Sequence, residues 1–307
     1  MTSIMSKEKS LIIEQFKNKL TPENVRNFGV REWKEFFSGE MSNFFVTRTY
    51  FFKPEYLYRA RLNLDSNGNP VDFFDNISEL WAPPYKKIKK QGRCNMPGQS
   101  RLYCSTSPAT TLFELSPDTG LENTVIQYKC VDELKNLAII GANEIMSINE
   151  KFHEIFGNHF KGRKEEIILI DDLLSLIFRG KNTEAFPIYN LTNAITQIFL
   201  NKQTGASPFG NPLPPTNIGL IYPSVETSMP LGANLVLDPL AAKNCLKPNI
   251  AYKYKILHKH STDFFDILQT HKTRRIYPNG QMIWERCYDT KIEYITHLPI
   301  AKNNVKQ

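Results

Sequence analysis

Gly92–Glu114 reads GRCNMPGQSRLYCSTSPATTLFE. Pro97-Gly98 is a turn signal, and RLYCS after it alternates as a strand does. Ser107-Pro108 then supplies a capping hydroxyl and a proline suited to the first helical position, which predicts a short helix over SPATTLFEL. One strand and one helix therefore deliver Tyr103 and Glu114, with Arg93 and Arg101 just ahead of them. A second stretch, Ile218–Pro239, reads IGLIYPSVETSMPLGANLVLDP. It gives two apolar strands, the first ending in a Pro-Ser corner. Strands and helices interleave, so the expected class is α+β with mixed or antiparallel sheets.

Further out, YLYRARL (56–62) alternates as a strand and DSNGNP follows as a turn. TVIQYKCV is a third strand. Residues 144–187 read as helical, and EEIILIDDLLSLIF within them is apolar enough to be buried. PIYNLTNAITQIFLNKQ predicts an amphipathic helix with Leu191, Ile195, Ile198 and Phe199 on one face. After about residue 250 the pattern turns to β: AYKYKIL, then RRIYPNGQMIWERCY, in which Asn279-Gly280 marks a hairpin. Leu11, Ile12, Ile13, Phe16 and Leu20 predict an N-terminal helix. TPEN then opens a second one, capped by Thr21 and carrying Val25 and Phe28. The lysine run YKKIKKQ reads as a solvated loop, and there is no internal repeat.

The chain has 307 residues and a net charge of +7, with 41% hydrophobic and 22% charged residues. That is the composition of a globular protein with a true core. No apolar run approaches the roughly 20 residues of a membrane helix. The N-terminus has scattered lysines and no apolar core, so a secretion signal is not expected and a cytoplasmic location is. Five cysteines without a CxxC predict reduced thiols, and HEIFGNH (153–159) lacks the zinc-protease spacing, so no metal is expected. There is no GxxxxGK[ST] or GxGxxG, and YPSVE lacks the GxSxG elbow, which argues against Ser224 as a hydrolase nucleophile. The positive charge suits an anionic ligand or an acidic partner, and no nucleic-acid-binding motif accompanies it.

Five pieces occur in a set order: LYRAR (57–61), APP (82–84), GRCNMPGQSRLYCSTSPATTLFE, YNLTNAITQIFLN, and GLIYPS followed by GANLVL. In that order they resemble the RES domain, the toxin component of Xre–RES toxin–antitoxin systems. The resemblance runs from about residue 56 to 239, with about 141–187 as a helical insertion. It implies a catalytic domain over 49–245 with a fold related to the ADP-ribosyltransferases. Residues 1–48 then form a helical extension, and 246–307 a β-rich extension packing on the core. The implied activity is cleavage of the nicotinamide–ribose bond of NAD by hydrolysis or phosphorolysis, with NAD as substrate and no metal. The positions that carry over are Arg59, Arg93, Tyr103, Glu114 and Ser224.

Those residue types suit the chemistry. Guanidinium groups bind phosphate oxygens through paired hydrogen bonds, which makes Arg59 and Arg93 candidate pyrophosphate clamps. Departure of nicotinamide leaves an oxocarbenium-like ribose, which a carboxylate stabilises, and Glu114 is the candidate. Tyr103 can stack on the cationic ring, and Ser224 can hydrogen-bond a ribose or the glutamate. Arg61, two residues from Arg59 on a strand, shares its face. Asn95 and Tyr222 complete the expected binding set. Taken singly, each has a plainer reading: surface ion pairs for the arginines, a core aromatic for Tyr103, a turn for Ser224.

The resemblance implies an Xre-type antitoxin as partner, which would be the only route to nucleic acid; a homodimer stays open. Protein mono-ADP-ribosylation is the alternative, though no Glu-x-Glu pair lies near Glu114. A non-enzymatic nucleic-acid-binding protein is the second alternative.

Overall fold

A computed structural model describes residues 14–39, 50–65, 67–115, 117–148, 150–160, 165–200, 217–224, 232–261, 264–287 and 292–295. The chain divides into two compact units, each assembled from three segments. The first comprises Met1–Phe52, Pro84–Arg101 and Leu134–Val225, and the second Lys53–Pro83, Leu102–Glu133 and Glu226–Gln307. Both mix helix and strand, as the α+β reading expects.

In the first unit, β1 (Tyr50–Phe52) pairs antiparallel with β5 (Leu134–Ile139), and β5 pairs parallel with β6 (Gly219–Pro223). Every residue of β6 is buried. This is why GLIYP is an unbroken apolar run rather than an alternation. The Pro22–Asn27 helix starts where TPEN places it, with the Thr21 hydroxyl accepting from the Asn24 amide at 3.1 Å. It stops at Asn27, so Phe28 is its extended C-cap rather than a residue on its face. Phe28 instead packs on Trp33, at 5.1 Å between ring centroids, in an aromatic cluster with Phe16, Phe36 and Phe37. The expected Leu11, Ile12 and Ile13 face lies outside the described residues.

Among its described residues the insertion holds the helices Ala142–Ser147, Glu150–Phe160 and Glu165–Arg179. Gly141 caps the first with φ 70°, and its backbone N–H and that of Ala142 both donate to the buried Asp171 carboxylate, at 3.0 and 2.7 Å. A Cβ on Gly141 would lie 2.7 Å from both Pro223 Cγ and Ser175 Oγ. Glycine is needed here for conformation and for closeness alike. The insertion is thus packed directly onto the end of β6. The Tyr189–Leu200 helix differs from its amphipathic reading. Leu191, Ile195 and Phe199 are buried as expected, but so are Thr192, Asn193 and Thr196, while Ile198 is only half-buried.

The second unit is an antiparallel sheet ordered β7 (Ala233–Leu237), β3 (Leu102–Ser105), β2 (Tyr56–Leu62), β4 (Glu122–Cys130), β8 (Leu246–Ser261), β9 (Phe264–Ile276), β10 (Met282–Arg286). A further strand, β11 (Ile292–Ile295), also pairs with β9. The Asn279-Gly280 hairpin forms where expected, with Gly280 at φ 87°. The strands after residue 246 continue the sheet edge to edge: β8 pairs with β4 from Leu246 opposite Cys130 to Lys255 opposite Glu122.

The two faces of this sheet are covered differently. On one, Leu112 and Phe113 of the Pro108–Leu115 helix pack against Val125, Tyr254, Ile256 and Ile267, with Tyr58 and Ala60 beside them. On the other lie residues of the 73–81 segment. Trp81 meets Tyr128 edge-on at 5.3 Å, and Phe73 and Phe74 sit under the Lys253 and Arg61 cations at 4.4 and 4.5 Å. Lys253 is 4% exposed and its ammonium pairs with Glu122 at 2.7 Å.

Candidate active site

Strand alternation assigns the expected residues of the second unit to faces. Tyr58 pairs with Ser105, Ser105 with Asn234, and Tyr103 with Val236. Tyr103, Ser105 and Asn234 therefore share the face on which Tyr58, Ala60 and the Pro108–Leu115 helix pack. Glu114 stands in the last turn of that helix, half-buried, and its Oε1 accepts from Asn234 Nδ2 at 2.7 Å. Tyr103 and Glu114 thus come to one face, with Asn234 between the strand and the carboxylate.

Arg59 and Arg61 do not join them. Arg59 alternates with Tyr58 and Ala60 and projects from the opposite face, where its Nε donates to the Leu80 carbonyl and its Nη1 to the Tyr103 carbonyl, both at 3.1 Å. Leu80 O also accepts from the Tyr128 hydroxyl at 3.0 Å. Two of its N–H groups thus go to backbone carbonyls, one of them that of Tyr103, on the face opposite Glu114. Burial pushes the neighbouring Cys104 thiol up to about 12, against a smaller opposite pull from Arg59, and it also raises the Tyr128 phenol. Arg61 shares the Arg59 face as expected. Its Nη1 donates to Glu79 O at 2.6 Å and its Nη2 to Leu64 O at 3.2 Å, over the Phe74 ring. Burial lowers its pKa, with Arg59 adding to the effect and Glu79 opposing it.

The first unit holds Arg93, Asn95, Tyr222 and Ser224. Arg93 donates through Nη1 to the Phe178 carbonyl and through Nη2 to the Gly180 carbonyl at 3.1 Å. It thereby caps the C-terminal end of the Glu165–Arg179 helix, where carbonyls lack intrahelical donors and a cation is favoured. The GRCN loop is closed on itself by Gly92 N donating to Asn95 O at 3.0 Å, and Asn95 Nδ2 donates to Met96 O at 3.2 Å. Polar residues of the Tyr189–Leu200 helix grip it. Asn193 Nδ2 donates to Gly92 O at 2.7 Å and to Tyr189 O at 2.8 Å, and Thr192 Oγ1 donates to Arg93 O at 2.8 Å. Cys94 is buried beneath, its thiol pushed up to about 11 by burial, with Thr196, Arg93 and Tyr222 drawing it the other way. Tyr222 and Ser224 are each 4% exposed, and the Phe178 ring lies 5.4 Å from that of Tyr222. The insertion therefore supports both Arg93 and the Tyr-Pro-Ser strand.

Asn193→Ala removes both of its bonds and leaves the Gly92 carbonyl short of a donor. The expected loss is about 1–3 kcal/mol of stability, read as a lower urea midpoint with an unchanged slope.

Three contributors had no role assigned from sequence: Asn234, Asn193 and Thr192. Asn234 is a polar residue in an otherwise apolar run, ANLVL, and buried polar side chains are nearly always hydrogen-bonded; Asn193 and Thr192 sit in NLTNAI, whose polar residues give no such signal. Among the described residues, no group of three or more His, Cys, Asp or Glu is placed to hold a metal, and no helix is long and apolar enough to cross a membrane.

The class that fold and site define is an α+β protein with a helix-borne glutamate held by a strand asparagine. Beyond that, neither the models of known protein families nor the curated proteins contain a match to this chain.

Proposed function

We propose that this protein cleaves the nicotinamide–ribose bond of NAD, as a toxin of the RES type. The observation that carries the reading is the Glu114–Asn234 hydrogen bond at 2.7 Å on the sheet face that also bears Tyr103. It holds a carboxylate over the sheet face that carries an aromatic side chain, a pairing that suits a reaction that leaves a cationic sugar and expels a flat ring. The C1′–N1 bond breaks with its electron pair passing to the ring, so nicotinamide departs neutral and no strong general acid is needed. Water or phosphate then bonds to C1′; water releases one proton to the solvent, so hydrolysis yields ADP-ribose, nicotinamide and H+. Glu114 stabilises the oxocarbenium-like centre through charge, and Tyr103 offers the face on which the nicotinamide ring stacks. Arg59 acts by holding the backbone of Tyr103. The resemblance assigns dinucleotide binding to Arg93, Asn95, Tyr222 and Ser224, and an Xre-type antitoxin as neutralising partner.

Expression in a bacterial host tests this in the cell. The expected result is growth arrest with a falling NAD pool, both relieved by Glu114→Gln. Arrest with an intact NAD pool would contradict the reading. ADP-ribose appearing on protein rather than free would transfer it to the mono-ADP-ribosyltransferase alternative. Salt-sensitive DNA binding indifferent to Glu114 would indicate the nucleic-acid alternative.

A further inference from the structure

Gly232-Ala233-Asn234 opens β7, and each of its residues is fixed to the strand-to-helix corner that leads to Glu114. The Ala233 carbonyl accepts from Thr106 N at 3.0 Å and from Ser105 Oγ at 3.0 Å. Its amide donates back to Thr106 Oγ1 at 2.9 Å. Gly232 lets the two segments close, since a Cβ there would lie 2.8 Å from Ser107 Cβ and 2.9 Å from Thr110 Oγ1. Asn234 is 5% exposed and aims its amide at the carboxylate. The corner, the helix start and the amide thus form one clasp, anchored at both ends of the Ser105–Glu114 segment.

We infer that Asn234 is the positioning residue of Glu114, holding the carboxylate in place for the oxocarbenium-like transition state through the clasp made by Gly232 and Ala233. This rests on the reading of Glu114 as the catalytic carboxylate. An amide N–H bonded to a carboxylate oxygen fixes where that negative charge sits, which is what a group that stabilises charge in the transition state requires. A group that acts through Glu114 is felt in the transition state and little in substrate binding, so kcat carries the effect and KM does not.

The test uses the full chain, NAD as probe, and two variants. Asn234→Ala is expected to lower kcat about 10- to 100-fold, the range for a lost hydrogen bond to a charged group, with KM nearly unchanged. Asn234→Asp keeps the shape but puts a carboxyl where the donor stood, so it is expected to lose kcat as Asn234→Ala does, again with KM nearly unchanged. A merely structural role would lower the folded fraction and leave kcat per folded molecule as in wild type. A wild-type kcat in either variant, or a KM raised as much as kcat falls, overturns the inference. The hydrogen bond has its own readout. In spectra of 15N-labelled protein, the Asn234 side-chain amide, assigned by its disappearance in Asn234→Ala, is expected to move when Glu114 becomes alanine. An unmoved resonance overturns the inference whatever the kinetics. Wild-type protein that leaves NAD intact while this resonance moves removes the catalytic reading, and with it the role of Asn234, but leaves the clasp standing.

Discussion

Glu114→Gln is expected to lower nicotinamide release about 100- to 1000-fold while the protein stays folded, the size of effect seen when one preorganised charge-stabilising group is removed. The substitution is nearly isosteric, and its carbonyl can still accept from Asn234 Nδ2, the partner 2.7 Å from Oε1. What it removes is the negative charge. Substrate binding should change little, so the loss should fall on kcat. Thermal melting checks the fold and a nicotinamide assay checks the rate. A variant that melts with wild type and retains full activity would show that the carboxylate plays no part in the reaction.

Arg59→Ala is expected to cost about 2–4 kcal/mol of stability, because it withdraws a cation that donates to both the Leu80 and Tyr103 carbonyls in a half-buried setting. Arg59→Lys should recover little of it. A single ammonium on a flexible stem does not reproduce the planar fork that reaches two carbonyls at once. Denaturant unfolding measures the loss, and NAD kinetics on the folded fraction separates the two roles. A strut predicts lower stability together with a lower kcat through a displaced Tyr103. A phosphate clamp predicts a raised KM with stability intact, and that outcome would return Arg59 to the role its sequence position implies.

The local elements were legible because local chemistry determines them. Thr21 caps its helix, Asn279-Gly280 turns its hairpin, and YLYRARL runs as a strand. What sequence could not convey is pairing between distant segments. That Arg59 and Tyr103 project to opposite faces depends on Tyr58 meeting Ser105, a register fixed by tertiary structure. Arg59 and Arg61 were correctly placed on one face because that relation lies within a single strand. The Tyr189–Leu200 helix misled in another way. Thr192, Asn193 and Thr196 mimic a solvent face, yet Thr192 and Asn193 are buried against the backbone of the GRCN loop. A polar residue destined for a buried carbonyl and one destined for water look alike until the partner is known. Glu114 was singled out from the motif, but the residue that holds it is 120 positions further along the chain.

The most direct measurement is a time course of NAD with purified protein, followed by proton NMR in buffer with and without phosphate. The account predicts that the nicotinamide-ribose anomeric signal decays as free nicotinamide grows in equal amount. ADP-ribose should appear if water is the acceptor, and its 1″-phosphate if phosphate is. NAD that persists unchanged in both buffers, with protein shown to be folded, would contradict it.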